Sequence, residues 1–199
     1  MKIENSFSVP VDKEKAMDIL TNVPMIAPCI PGAELTAIAT DGVYRGALKM
    51  RLGPVTLTFG GEARIIEIDR AAGTATLHTK GADNKGRGGA EARTAFRLAE
   101  DAGQTWVEMQ TDLTLSGSVA QYGRAAGLIS DVAKQFTQQF ADNLRRQLMV
   151  QHPEAVALLE RSSAPADGKQ AVKPISGFAL IVQSLRAMLR RWFGLAARP

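Results

Sequence analysis

Two stretches in the second half of this chain alternate apolar and polar side chains without a break. Ala90, Ala92, Thr94, Phe96 and Leu98 alternate with Glu91, Arg93, Ala95 and Arg97, and Val107, Met109, Thr111, Leu113 and Leu115 alternate with Glu108, Gln110, Asp112 and Thr114. A strand sends successive side chains to opposite faces, so each stretch predicts a strand with one dry face. A sheet that is dry on one side must bury that side against another layer. The lid is legible further along. Tyr122, Ala126, Ile129, Val132, Ala133, Phe136, Phe140, Leu144 and Leu148 recur every three or four residues, the stripe of one long helix. Ser118 to Gln121 has capping-box spacing at its start, and Pro153 marks its approximate end.

The first half supplies the rest of the sheet. Lys2 to Val9 reads as a strand stopped by Pro10. Asp12 is placed to cap a short helix through Leu20, and a second short helix or turn covers Pro24 to Cys29. Leu35–Thr40 and Val43–Leu52 flank Asp41-Gly42, a hairpin signal. Gly53-Pro54 leads into a long strand, Val55 to Ile68, whose apolar phase slips near Ile65–Ile66 and so predicts a bulge. Thr74 to Thr79 is a further strand. The predicted order is strand, two short helices, six strands, long helix.

The charge of +4 is unevenly spread. After Asp167 there are six basic residues and no acidic one, which leaves 18 basic and 20 acidic side chains, a net of −2, in residues 1–167. The basic character therefore belongs to the tail and gives no reason to expect nucleic acid as a partner. A single cysteine, Cys29, excludes an internal disulfide and fits a reducing compartment, and the start lacks the apolar run of a secretory signal. A cytoplasmic protein is expected.

The organisation expected is a domain at 1–151, a flexible linker at 152–174 rich in Ser, Ala, Pro, Gly and Lys, and an amphipathic tail at 175–199. Wound as a helix, Ile175, Phe178, Ile181, Val182, Leu185, Met188, Leu189, Trp192 and Phe193 share one side, with Arg186, Arg190 and Arg191 on the other. Its longest apolar run is far short of the roughly 20 residues that span a bilayer.

Catalytic and metal chemistry find little support. The two histidines, His78 and His152, have no companions at ligand spacing, and Cys29 has no nominated base. No catalytic residue and no metal site are predicted. The glycine-rich run from Asn84 to Ala92 leads into an alternating strand, whereas a phosphate loop must open a helix; it is read as a turn with glycines at a strand bulge.

The order of elements resembles the START/Bet v1-like helix-grip fold, an α+β fold in which a curved antiparallel sheet of about seven strands wraps a long C-terminal helix. Within it the chain resembles the CoxG family, named for the G subunit of carbon monoxide dehydrogenase. The resemblance is carried by FSVPVDKEKAMDIL (Phe7–Leu20), CIPGAEL (Cys29–Leu35), KGRGGAEARTAFRL (Lys85–Leu98) and the run from Leu115 to Leu144, and covers nearly all of residues 1–150. The family's middle motif reads more like Gly-Lys-Gly-Ser-Ala; this chain has Lys85-Gly-Arg-Gly-Gly-Ala90. The resemblance implies a non-catalytic accessory protein of a molybdenum hydroxylase of the CO dehydrogenase type. It further implies a hydrophobic cavity for respiratory quinone or another lipid, and recruitment of the enzyme to the membrane.

Gly88, Gly89, Ala90 and Ala92 leave room above the sheet, and Ala125, Ala126 and Gly127 leave room beneath the helix. Leu48, Met50, Leu57, Phe59, Phe96, Met109, Ile129, Phe136 and Phe140 would line the hollow, with Thr94 and Thr111 as inward hydroxyls. A filled core is the alternative, and the resemblance favours the hollow. Tyr122 either meets a ligand carbonyl or bonds within the domain. For the tail, Phe178, Val182, Leu185, Leu189, Trp192 and Phe193 would enter an anionic membrane surface while Arg186, Arg190 and Arg191 face headgroups; docking on a partner protein is the rival. A ligand-free adaptor and a cyclase or hydrolase of the same fold remain as other functions.

Overall fold

The computed structural model describes residues 1–53, 55–101, 104–123 and 126–151. The predicted linker at 152–174 and tail at 175–199 lie outside the described residues.

Strand β1 (Lys2–Val9) is followed by helices α1 (Lys13–Thr21) and α2 (Val23–Ile26) and a 3-10 turn at Ala27–Cys29. Six strands follow: β2 (Ala33–Ile38), β3 (Val43–Leu52), β4 (Val55–Asp69), β5 (Thr74–Asp83), β6 (Gly89–Asp101) and β7 (Gln104–Leu115). A 3-10 turn at Gly117–Val119 then leads to α3 (Ala120–Gly123) and the long α4 (Ala126–Gln151). All seven strands form one antiparallel sheet in the order β1-β7-β6-β5-β4-β3-β2. The predicted element order holds, and its local causes are visible. Asp12 accepts the Lys15 amide at 2.8 Å to cap α1. The β4–β5 register slips between Ile65 and Glu67, where the apolar phase breaks.

Four expectations shift. β2 begins at Ala33 and ends at Ile38, with its own slip between Leu35 and Ala37, and not at Leu35–Thr40. β5 runs on to Asp83, beyond Thr79, because backbone pairing with Gly60 and Gly89 continues where the side-chain pattern stops. Ser118 caps no helix: its hydroxyl donates to the Arg87 carbonyl at 2.7 Å and ties α3's approach to the β5–β6 loop. Gly88 and Gly89 leave no room above the sheet. Gly88 has φ +137°, and a Cβ there would lie 2.0 Å from the Ser116 carbonyl oxygen; a Cβ on Gly89 would lie 3.0 Å from the Gly81 carbonyl oxygen. Their smallness serves backbone contact.

The core is two clusters. The first joins Phe7, Val9 and Val11 with Met17, Ile19 and Leu20 of α1, Leu98, Val107, and Phe140, Leu144 and Leu148 of α4. Phe7 and Phe140 meet edge to face at 5.5 Å. Leu144 and Leu148 have no exposed surface, and each such burial stabilises by about 1.5–3 kcal/mol. Polar side chains of α4 seal this end. Arg145 donates to the Ser8 carbonyl at 2.9 Å, Asn143 to that of Cys29 at 2.9 Å, and Gln147 to that of Met25 at 3.1 Å. The second cluster, at the other end, holds Ile3, Leu52, Leu57, Phe59, Val119 and Ile129.

Two features stiffen the sheet. Gly46, Gly61, Gly81 and Ala90 lie side by side across β3 to β6. A Cβ on Gly46 would lie 2.3 Å from the Glu34 carbonyl oxygen, and one on Gly61 2.1 Å from that of Lys80. At Gly46 and Gly61 only glycine allows the backbones their approach. Beside it the β5–β6 loop is clamped. The Asp83 side chain is fully buried and accepts Arg87 Nε at 2.7 Å and Nη2 at 2.8 Å, with further bonds from the amides of Thr58 and Lys85. Arg87 also donates to the Thr56 carbonyl at 3.0 Å. The Arg87 bond, aided by those amides and opposed by burial, holds the Asp83 carboxyl well below the usual carboxylate range.

Candidate ligand site

The strand register sorts the inward side chains into rows. One row runs Ile65, Leu77, Thr94, Thr111, Ile3 across β4, β5, β6, β7 and β1. Beside it lies Ala63, Thr79, Ala92, Leu113, and on the other side Ile68, Ala75, Phe96, Met109, Asn5. Those on β1, β6 and β7 share the face of buried Phe7, Leu98 and Val107, two to six positions along the same strands. Yet Leu77, Thr79, Ala92, Thr94, Thr111 and Leu113 are only half-buried. A dry sheet face that keeps half its side chains accessible is incompletely covered. The accessible band lies between the two core clusters.

The predicted lining residues divide accordingly. Leu57, Phe59 and Ile129 are buried in the second cluster, and Met50, Ala90 and Tyr122 pack against it. Phe140 is buried in the first, with Phe96 and Met109 against it. Leu48, Ala92, Thr94, Thr111 and Phe136 belong to neither cluster and are half-buried. Leu57, with no exposed surface, offers nothing to a ligand in this arrangement. The side chain of Ala126 lies outside the described residues, as do Ala125 and the tail residues Phe178, Val182, Leu185, Arg186, Leu189, Arg190, Arg191, Trp192 and Phe193.

The band carries few polar groups. Thr94 and Thr111 hydroxyls bond each other at 2.9 Å, and Thr79 donates to the Ala92 carbonyl at 3.4 Å. Tyr122 makes no hydrogen bond to the described residues; it packs on the second cluster, within electrostatic reach of Arg87. Asn5 is the inward residue that sequence reasoning passed over. Its position between Ile3 and Phe7, on their face by period two, was the available signal.

The remaining candidates sit elsewhere. His78 lies on the outer face, 2.8 Å from Glu91. Cys29 is buried, its sulfur 2.9 Å from Gln147 Oε1, and burial pushes its thiol pKa up, away from the thiolate a nucleophile needs. No group of three metal-ligating side chains occurs among the described residues. No helix among them is long and apolar enough to cross a membrane. A shallow depression of about 660 Å³ at the seam is lined by Gly60, Gly61, Gly81, Gly88 and Gly89 together with the charged Arg45, Glu62 and Lys80.

Solved structures with this architecture include a conserved protein from Geobacillus kaustophilus, with 18% identity, a TM-score of 0.65, and 76% of this chain and 97% of that one covered. Another is the ZhuI aromatase/cyclase from a Streptomyces species, with 14% identity, a TM-score of 0.54, and 77% and 98% covered. A third is a protein from Thermus thermophilus, with 10% identity, a TM-score of 0.55, and 76% and 99% covered. At such identities the likeness establishes the fold, the α+β helix-grip fold of START/Bet v1-like proteins. No match was found among curated proteins. The family model for CoxG, the G subunit of carbon monoxide dehydrogenase, matches residues 6–149, and the chain belongs to that family.

Proposed function

We propose that this protein is a non-catalytic accessory protein of a molybdenum hydroxylase of the CO dehydrogenase type. It holds a hydrophobic ligand, respiratory quinone, between α4 and the sheet, and links the enzyme to the inner face of the cell membrane through residues 175–199. The observation that carries the reading is the accessible apolar band around Leu77, Ala92 and Phe136, between two filled clusters, with half-buried Leu113 at its edge against the second. Pockets for poorly soluble molecules are apolar, largely preformed and supplied with few polar groups. The family match supports the partner, and the cationic amphipathic tail supports the surface. The likeness to an aromatase/cyclase favours an enzymatic reading, but Asn5, Thr79, Thr94 and Thr111 do not titrate near neutrality and make poor general acids or bases.

Mass spectrometry of an organic extract of the purified full chain is expected to find quinone or lipid near one equivalent. An empty extract, with no uptake of added decylubiquinone, would leave the adaptor reading. Ala92→Trp is expected to keep the fold and lose uptake; equal binding by the variant would place the ligand elsewhere. The full chain is expected to sediment with vesicles containing anionic lipid, less so at high salt, and a chain ending at Ser163 is not. Equal sedimentation of both would remove the tail from that role. A strain lacking the protein is expected to keep dye-linked hydroxylase activity and lose substrate-driven respiration; unchanged respiration would remove the enzyme partner.

A further inference from the structure

The inner face of the sheet is mostly apolar in its middle rows. In the row Ile65, Leu77, Thr94, Thr111, Ile3, two adjacent hydroxyls interrupt the hydrocarbon, and their oxygens lie 2.9 Å apart. Asn5 stands one diagonal step from Thr111, on the same face, half-buried between buried Ile3 and Phe7. Diagonal neighbours in an antiparallel pair lie about 7–8 Å apart, within reach of one bridging group.

The hydrogen-bond inventory of these side chains is incomplete. A threonine hydroxyl has one donor and two acceptor sites, and an asparagine amide has two donors and an acceptor. In the threonine pair one O–H is spent on the other oxygen, so the second O–H is left over. Neither hydroxyl has another partner among the described residues, and the Asn5 side chain has none. Thr79, the next inward hydroxyl, is already turned to the Ala92 carbonyl. Polar groups in a half-dry cleft are costly when left open, and a site built to bond an oxygen discriminates against analogues that lack it.

We infer that Asn5, Thr94 and Thr111 form the polar end of the ligand site and hold a carbonyl or hydroxyl oxygen on an otherwise apolar guest. The inference rests on the ligand-carrier reading above and adds orientation to it. The oxygen-bearing head lies against β1, β7 and β6, and the hydrocarbon extends along Leu77, Ala92 and Leu113 toward Phe136. All three side chains are neutral and can both donate and accept, so the anchor suits a carbonyl and the corresponding hydroxyl alike.

The test compares two probes on the full chain. Decylubiquinone carries ring carbonyls; decylbenzene carries the same tail on a bare ring. Replacing Thr94→Val together with Thr111→Val, and separately Asn5→Leu, removes polarity while keeping the branching of each side chain. Each variant is expected to weaken decylubiquinone tenfold or more and leave decylbenzene within about twofold. The infrared carbonyl band of the bound quinone is expected to move up toward its value in hydrocarbon. Thr111→Ser, which keeps the hydroxyl, is expected to bind decylubiquinone like the parent. Unchanged quinone affinity and carbonyl band in both variants would overturn the anchor while leaving the carrier reading intact. Equal losses for both probes would reduce these residues to packing and also overturn it. Failure of the parent to bind either probe would overturn the carrier reading and the anchor with it.

Discussion

The end of the domain beneath α1 and the middle of the inner sheet face are built from the same strands, and they differ in what covers them. On β7, Val107 is 1% exposed, while Thr111, two inward positions further, is half-buried. On β6, Leu98 is 3% exposed and Ala92 is half-buried. At the first end α1, α2 and the last turns of α4 close over the sheet, held by three carbonyl-seeking side chains of α4. In the middle Phe136 is itself half-buried, and the inward residues of the sheet there are small or hydroxylated. Burial is therefore concentrated in the two clusters, and the middle of the inner face contributes less to it.

The contrast can be broken from the closed end. Leu144→Ala removes a side chain with no exposed surface, and such truncations cost about 2–5 kcal/mol, readable by urea denaturation. A loss as small as that of a surface residue would mean that this end is not the anchor of the fold. The next comparison sets two inward alanines on neighbouring strands against each other. Ala75 is 2% exposed and faces Phe96 across the ladder; Ala92 lies in the band. Ala75→Trp is expected to destabilise by about 1–3 kcal/mol or more. Ala92→Trp is expected to change stability by about 0.5 kcal/mol or less. Equal costs would show the band to be filled.

A third test concerns acid. The Asp83 carboxyl is held low in the folded chain, so on acidification the unfolded state takes up its proton first. Its contribution is fully present above the unfolded carboxylate pKa of about 4 and is lost as pH falls further toward the lower folded value. Asp83→Asn is expected to lower the denaturation midpoint at neutral pH and to flatten its fall below about pH 4. An unchanged acid slope would assign the acid sensitivity elsewhere. The smallest effect is kinetic. Buried Cys29, with its raised thiol pKa, is expected to react with an aromatic disulfide reagent at least tenfold more slowly in the native than in the urea-unfolded chain, by order of magnitude. Equal rates would mean that the closed end opens freely.

Much of this architecture was legible because it follows from local periodicity. The alternation in Ala90–Leu98 and Val107–Leu115, the Asp41-Gly42 hairpin and the phase slip near Ile65 each have a short-range cause. What stayed hidden depends on register. Gly46, Gly61 and Gly81 are unremarked singly and become a seam only when three strands are aligned. The Asp83–Arg87 clamp has the sequence of a glycine-rich turn, since the Thr58 amide and Thr56 carbonyl that complete it come from β4. Asn5 was legible by alternation alone, but its proposed role rests on Thr111 standing diagonally across on β7. Periodicity tells which face the site residues share and is silent about which of them the two clusters consume.

The seam has a mechanical consequence. A sheet held by side-chain contacts can flatten when a guest enters, because side chains change rotamer at little cost. Gly46 and Gly61 fix their strands by backbone against backbone, at separations where even a methyl group has no place. That part of the sheet is a shell of set shape, and the clamped Asp83 loop adjoins it like a rivet. If the proposed ligand enters, loading and unloading fall to the helical side, where α4 runs from the second cluster to the first. On that reading the sheet is the mould and the helix the door, so variants that alter exchange rates without altering affinity should map to α4 rather than to the strands.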